Sequence, residues 1–327
     1  MGKRKDCDLI TRKEFCCQSC RNINRIMNIY DKDIVNKNLS LTNYKGRRIR
    51  ITEYSLPDLT YNKIDKNLYE MDRFSTKLIT SLLVNKYQEE RDLSISSKVY
   101  NSFVCGNNVF VMHEIPLADK YETFLESGEN IKSCIFQFMS FLDYMKEYKY
   151  SHGESSLTKF RISMQERESR KIHLNKSIKT KITLKILPSS FCSLEMKNGK
   201  RIFYNHHMIK KSDLELKDLY HDEKDFFVLQ NYLSFKDYQT AKSMGIYNDL
   251  SSLDAYNFMV SLFSHPLVRK NIEGDKTLID MYKFLFDQEE TVYFPSEFLD
   301  KEKDLYKFLK GKKLKHNLPR QIIENFY

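Results

Sequence analysis

The sequence predicts an α+β protein in two lobes, a small strand-containing N-terminal lobe and a mainly helical C-terminal lobe. Three observations predict it. Alternating apolar and polar runs gather before residue 118. Two apolar-periodic helices stand out, one through Phe74 and one from Ile131. Beyond Tyr204 the pattern is helical throughout. The expected division is a Cys-containing extension over 1–43, the N-lobe over 44–117, and the helical C-lobe with a basic tail over 118–327.

At 327 residues the chain can bury a large core or form two lobes around a cleft. Its 30% charged and 41% hydrophobic residues fit a soluble globular protein. No apolar run reaches the roughly 20 residues of a membrane span, so no membrane association is expected. The first residues, MGKRKDCDLITRKE, lack the apolar stretch of a secretory signal. Met1-Gly2 is not followed by the Ser or Thr of a myristoylation motif, because Asp6 stands there. Seven cysteines without a signal peptide point to thiols in an intracellular, reducing compartment. The net charge of +10 suits an acidic partner or a nucleic acid without choosing between them. Abundant Lys, Asn, Ile and Tyr also match an AT-rich genome, which accounts for part of that charge.

Within the extension, Cys17 and Cys20 have C-x2-C spacing, one half of a zinc site. The other half would come from Cys7 and Cys16 or from a distant His. The alternative is a short helix carrying small apolar thiols. Residues 44–54 read as a strand with Ile49 and Ile51 on one side and Arg48, Arg50 and Thr52 on the other. Residues 67–90 read as a helix with Phe74, Leu78, Ile79, Leu82 and Leu83 on its apolar face, and with Asn85 opening its exposed end. Two strands follow over 98–117, turned at Gly106-Asn107. No Gly-rich phosphate loop occurs anywhere. Residues 118–128 read as a linker.

From Ile131, the residues Ile135, Phe138, Leu142 and Met145 make an apolar helical stripe ending near Tyr150. A polar loop, His152-Gly153-Glu154-Ser155-Ser156, then leads into a short strand at Phe160–Ser163. MQERESRKIHLNKSIKTK reads as a basic exposed stretch, and KITLKIL as an alternating strand. A hairpin turned at Asn198-Gly199 follows. Helices are expected at 226–233, at 253–263 before Pro266, at 277–288 and at 301–310. From Leu305 to Ile323 six cations and no acid read as a solvated helix face or an anion-binding tail. His206-His207 reads as an exposed loop, and His173 stands in the basic stretch without a partner. No nucleophile elbow and no H-E-x-x-H motif occurs.

Four segments together resemble the protein kinases of large DNA viruses. FSTKLITSLLVN (74–85) is similar to their αC helix, and VFVMHEIPL (109–117) to the strand entering their hinge. IFQFMSFLDYMKEYKYSHGESS (135–156) is similar to their helix αE and catalytic loop. LKILPSSFCSLEMKNGKRI (184–202) is similar to their metal-binding motif and the hairpin beyond it. The resemblance covers roughly residues 70–235 and implies a two-lobed kinase-like fold with a hinge near Pro116–Gly128.

Phosphoryl transfer of that kind uses a carboxylate beside the attacking hydroxyl, an Asn and an Asp on magnesium, and a Lys–Glu pair on the phosphates. The resemblance places Glu154 at the catalytic Asp and Lys159 at the magnesium-binding Asn. It places Pro188-Ser189-Ser190 at Asp-Phe-Gly and Lys77 at the αC Glu. Arg50 is the candidate for the nucleotide-orienting Lys. His152 is expected to support the loop. Magnesium prefers carboxylate oxygens, and neither expected ligand is present, so ATP binding without Mg2+ is the most that Lys77, Arg50 and Lys159 would support. The expected function is a pseudokinase acting through protein partners. The alternatives are a serine/threonine-type kinase with residual activity through Glu154, and a nucleic-acid-binding protein using the basic segments Arg170–Lys185 and Lys307–Arg320. The setting implied is host cell cytoplasm or virion.

Overall fold

The structure, a computed structural model, describes residues 38–44, 47–55, 62–65, 68–70, 73–91, 93–105, 108–115, 124–153, 155–189, 192–197, 199, 201–203, 250–272, 274–286 and 315–327. It is mixed α+β. In chain order the strands are β1 (Asn38–Tyr44), β2 (Arg47–Ser55), β3 (Asn62–Asp65), β4 (Leu68–Glu70), β5 (Val99–Cys105), β6 (Asn108–Glu114), β7 (Phe160–His173), β8 (Lys176–Ile186), β9 (Leu194–Glu195) and β10 (Arg201–Phe203). The helices are α1 (Arg73–Glu89), α2 (Gly128–Met145), α3 (Leu250–Ser264), α4 (Pro266–Ile272), α5 (Lys276–Phe286) and α6 (Leu318–Phe326). The chain divides into two units, Met1–Thr60 with Ser97–Pro116, and Tyr61–Ser96 with Leu117–Tyr327.

The first unit is built on an antiparallel sheet in the order β1-β2-β6-β5. Its register follows the expected alternation, with Ile49 and Ile51 fully buried and Arg50 exposed between them. Thr52 Oγ1 lies 2.9 Å from His113 Nε2 across the β2–β6 pair. One extra residue between Val99 and Asn101 shifts the β5 register and makes a bulge.

In the second unit, α2 is the central element. Thirteen of its residues are buried, including Ser133, Gln137 and Ser140, so it is enclosed on every side rather than amphipathic. It ends at Met145 and passes through a 3-10 turn to Lys149, whose left-handed φ of 46° stops the helix without a glycine. Phe138, Phe160 and Phe258 join α2, β7 and α3, with ring centroids 4.7–4.8 Å apart and no solvent exposure. Such a fully buried aromatic contributes about 3–5 kcal/mol against truncation.

Helix α1 starts at Arg73, later than expected, because 68–70 form β4. Its buried face also differs from the expected stripe. Thr76, Thr80, Val84, Tyr87 and Gln88 are buried, Asn85 is buried with them, and Leu82 is exposed. Of the polar members, Gln88 serves neighbouring backbone. Gln88 accepts the amides of Ile95 and Ser96 at its Oε1 and donates to the Ser96 carbonyl. Gln137 does the same for β8, donating to Ile182 O at 3.2 Å and accepting from Leu184 N at 3.2 Å. Each glutamine thereby serves buried backbone groups, the Ile182 carbonyl sharing the Thr180 hydroxyl at 3.5 Å as a second donor.

The stretch after Ser163, expected as basic and exposed ahead of the strand KITLKIL, is the body of a long antiparallel hairpin. Strands β7 and β8 pair from Phe160↔Ile186 to His173↔Lys176, with a bulge between Met164 and Ser169. Leu174 and Asn175 make the two-residue turn with φ of 49° and 61°, the positive values that match strand twist. His173 Nε2 lies 2.7 Å from Asp143 Oδ2, tying the far end of the hairpin to α2; His173 therefore has a partner that was not expected.

A second sheet has the order β3-β4-β10-β9, with β4 and β10 parallel. β9 and β10 pair antiparallel on either side of Gly199, which has φ 77° at the expected turn, while Asn198 lies outside the described residues. Helix α4 begins directly at Pro266, a position where a missing amide costs nothing. Leu318, Pro319, Ile322 and Ile323 of α6 are buried, so this end of the basic C-terminal segment is core rather than tail. The helices expected at 226–233 and 301–310 lie outside the described residues. No described helix is long and apolar enough to cross a membrane.

Candidate functional site

The candidate site is the loop Ser151–Ser156 between α2 and β7. Three neighbours hold it. Ser151 pairs with Ser193 through two backbone bonds, 3.0 and 2.9 Å. His152, 1% exposed, donates from Nε2 to the Leu187 carbonyl at 2.8 Å, which fixes the proton on that nitrogen. The third neighbour is α3. Asp254 accepts the His152 amide at Oδ2, 2.7 Å, and the Gly153 amide at Oδ1, 3.2 Å.

Asp254 is fully buried, and a buried carboxylate survives only where donors converge on it. The Ser155 hydroxyl lies 2.9 Å from the Asp254 carbonyl and 3.0 Å from Oδ1, and receives Asn257 Nδ2 at 3.4 Å. One turn further, Ser261 Oγ accepts the Leu157 amide at 2.8 Å. Asp254, Asn257 and Ser261 are spaced by three and four, so they share one face of α3, and that polar stripe is the seat of the loop.

The positions singled out in the sequence fall as follows. His152 and Lys159 meet the same residue. Leu187 donates its amide to the Lys159 carbonyl at 2.9 Å and accepts His152 at its own carbonyl. The end of β8, leading to Pro188-Ser189, is thereby fixed against the loop. Lys159 is half-buried. Lys77 is half-buried on α1, where its carbonyl accepts the hydroxyl of Ser81 at 2.5 Å and that of Thr80 at 3.4 Å. Arg50 is exposed on β2 in the first unit. Glu154, Ser190, Cys7, Cys16, Cys17 and Cys20 lie outside the described residues.

Two free thiols are described, and burial governs both. It pushes the Cys134 thiol up to about 12. It pushes Cys192 up to about 12 as well, against the lowering effect of the Tyr150 hydroxyl. Cys192 also donates to the His152 carbonyl at 3.5 Å. Both act as packing groups rather than nucleophiles. Among the described residues, no three His, Cys, Asp or Glu side chains gather as a metal centre.

Chemically, the described part of the loop is a supported scaffold. Its imidazole is committed to a carbonyl, and the Asp254 carboxylate beneath it to backbone amides. Asp254, Asn257 and Ser261 were not singled out in the sequence. The available signal was a polar triplet at helical spacing inside the apolar run of α3. No protein-family model matches the chain, and no curated protein matches it.

Proposed function

We propose that this chain is a kinase-like protein of the kind found in large DNA viruses, working as a pseudokinase that binds other proteins rather than transferring phosphate. The observation that carries the reading is the loop after α2. It is docked on the Asp254 carboxylate and on Leu187, at the point where β8 runs into Pro188-Ser189. A backbone-docked loop between a buried helix and a strand is what this reading expects at a catalytic-loop position.

The chemistry at the positions of the resemblance does not follow. Lys159 brings a cation where a cation must bind, and Pro188-Ser189 supplies no carboxylate for magnesium. The mixed α+β architecture is compatible with a two-lobed kinase-like fold; the two units divide the chain otherwise than the expected lobes, since α1 belongs to the second unit and not with the β1-β2-β6-β5 sheet. On this reading the protein works in the host cell cytoplasm or in the virion.

The test is direct. Purified protein with labelled ATP and Mg2+ should show no phosphate transfer to itself or to a generic acceptor. Transfer that Glu154→Ala abolishes would overturn the reading in favour of a residually active kinase. A thermal shift with ATP that requires Mg2+ would point the same way, because only a ligand that binds the folded state raises its melting point.

A further inference from the structure

Within the second unit a cavity of about 360 Å3 opens between α2, residues 91–95 and the β7–β8 hairpin. That volume falls in the range of roughly 300–1,000 Å3 typical of small-molecule sites. Its lining includes three cations, Arg91, Arg170 and Lys171, and no carboxylate. Leu93, Ile95 and Phe136 give it apolar surface.

Two further observations single it out. Ser140, on the α2 wall, is 3% exposed and its hydroxyl has no hydrogen-bond partner among the described residues. A buried hydroxyl left unpaired is destabilising. A helical serine has a local alternative in the carbonyl one turn back, and Ser140 does not use it. The second observation is cross-strand charge. Arg170 on β7 stands directly opposite Lys179 on β8, and both are exposed. Like charges in that relation repel. Arg170 turns its Nε and Nη2 to Ser177 Oγ, at 3.1 and 2.9 Å. No described carboxylate forms an ion pair with Arg170, Lys171 or Lys179.

We infer that this cleft binds a small organic anion, an apolar or aromatic body carrying a phosphate or carboxylate. Arg91, Arg170 and Lys171 take the charge, with a guanidinium suited to paired contacts with either oxyanion. Leu93 and Ile172, the more accessible apolar side chains of the lining, take the body. Ser140 lies in the lining, and its unpaired hydroxyl is the neutral hydrogen-bonding group offered to the ligand. A nucleic acid is the poorer occupant. Single strands bind along aromatic stacking platforms, and the one aromatic of the lining, Phe136, is buried. The inference does not rest on the kinase-like reading.

Titration calorimetry on the full chain tests it with phenyl phosphate, inorganic phosphate and a short oligo-dT. The expected result is saturable binding of one phenyl phosphate per chain, tighter than inorganic phosphate. Arg170→Glu should weaken it by roughly tenfold or more, the loss typical of a charge-assisted bond. Ser140→Ala should weaken it by roughly tenfold without lowering the thermal midpoint of the unliganded protein, since it orphans no other group. Three results would overturn the inference: no saturation at millimolar phenyl phosphate, binding indifferent to Arg170→Glu, or oligo-dT bound more tightly than phenyl phosphate.

Discussion

Replacing Asp254 by alanine should loosen the loop and destabilise the whole second unit. Its carboxylate accepts the amides of His152 and Gly153 in a site with no solvent exposure. Removing it leaves both amides buried without an acceptor, at about 1–3 kcal/mol each, or about 2–6 kcal/mol together. Ser155 adds nothing to that loss, because its hydroxyl keeps the Asp254 main-chain carbonyl as acceptor. Asp254→Asn retains one oxygen but turns an NH2 group toward a donor, so it should orphan one amide and cost about half as much. Domain stabilities lie at roughly 5–15 kcal/mol, so the alanine variant loses a large share. Urea denaturation at constant slope measures both variants, and hydrogen exchange should show His152 and Gly153 losing protection first. A change below about 0.5 kcal/mol for alanine, the level of an ordinary surface substitution, would refute the role assigned to Asp254.

Further outcomes follow from single contacts. Asp275 caps α5 through the amides of Thr277 and Leu278 and pairs with Lys132 at 2.8 Å. Burial pushes its carboxyl up, but the Lys132 ammonium and those two amides outweigh it and hold it below the usual range. Its stabilisation is therefore complete above the unfolded value of about 4 and is lost as pH falls through the lower folded value. Asp275→Asn keeps an oxygen that can cap the helix but loses the charge facing Lys132, so it should cost about 0.2–1 kcal/mol at neutral pH, and its urea midpoint should converge on that of the wild type in acid. Gly128→Ala would place a Cβ 2.7 Å from Asp275 Oδ2; it should destabilise by about 1 kcal/mol and combine non-additively with Asp275→Asn in a double-mutant cycle. Phe160→Ala opens the Phe138–Phe160–Phe258 cluster and should cost about 3–5 kcal/mol by the same denaturation assay. Gln137→Leu leaves the Leu184 amide without its acceptor, while the Ile182 carbonyl keeps the Thr180 hydroxyl, and should cost about 1–3 kcal/mol.

Much of the framework was legible because burial on one face leaves a period in the sequence. Ile49 and Ile51 gave β2 its alternation, and Asn198-Gly199 marked the β9–β10 turn. The β7–β8 hairpin was hidden for physical reasons. Its outer face is charged, the bulge between Met164 and Ser169 breaks the alternation, and its turn is Leu174-Asn175, with no glycine to announce it. Leu82 misled because α1 buries hydroxyls and amides that serve neighbouring backbone, so polarity and exposure part company there. At the site, His152 could be found from the loop that carries it. Asp254 could not, because its role depends on a partner 102 residues away, and no local pattern reports that distance. α6 was obscured by the lysines before it, although Leu318, Ile322 and Ile323 carry a helical spacing.

The tie between the loop and α3 also sets an order of events during synthesis. The bonds joining α2 to β8 span 45 to 47 residues, so that pair can assemble early. The loop amides wait for a carboxylate 101 and 102 residues downstream. At roughly 5–20 residues per second on the ribosome, that interval lasts on the order of 5–20 seconds. Water must serve those amides in the meantime, and the loop takes its final form only when α3 has emerged and docked.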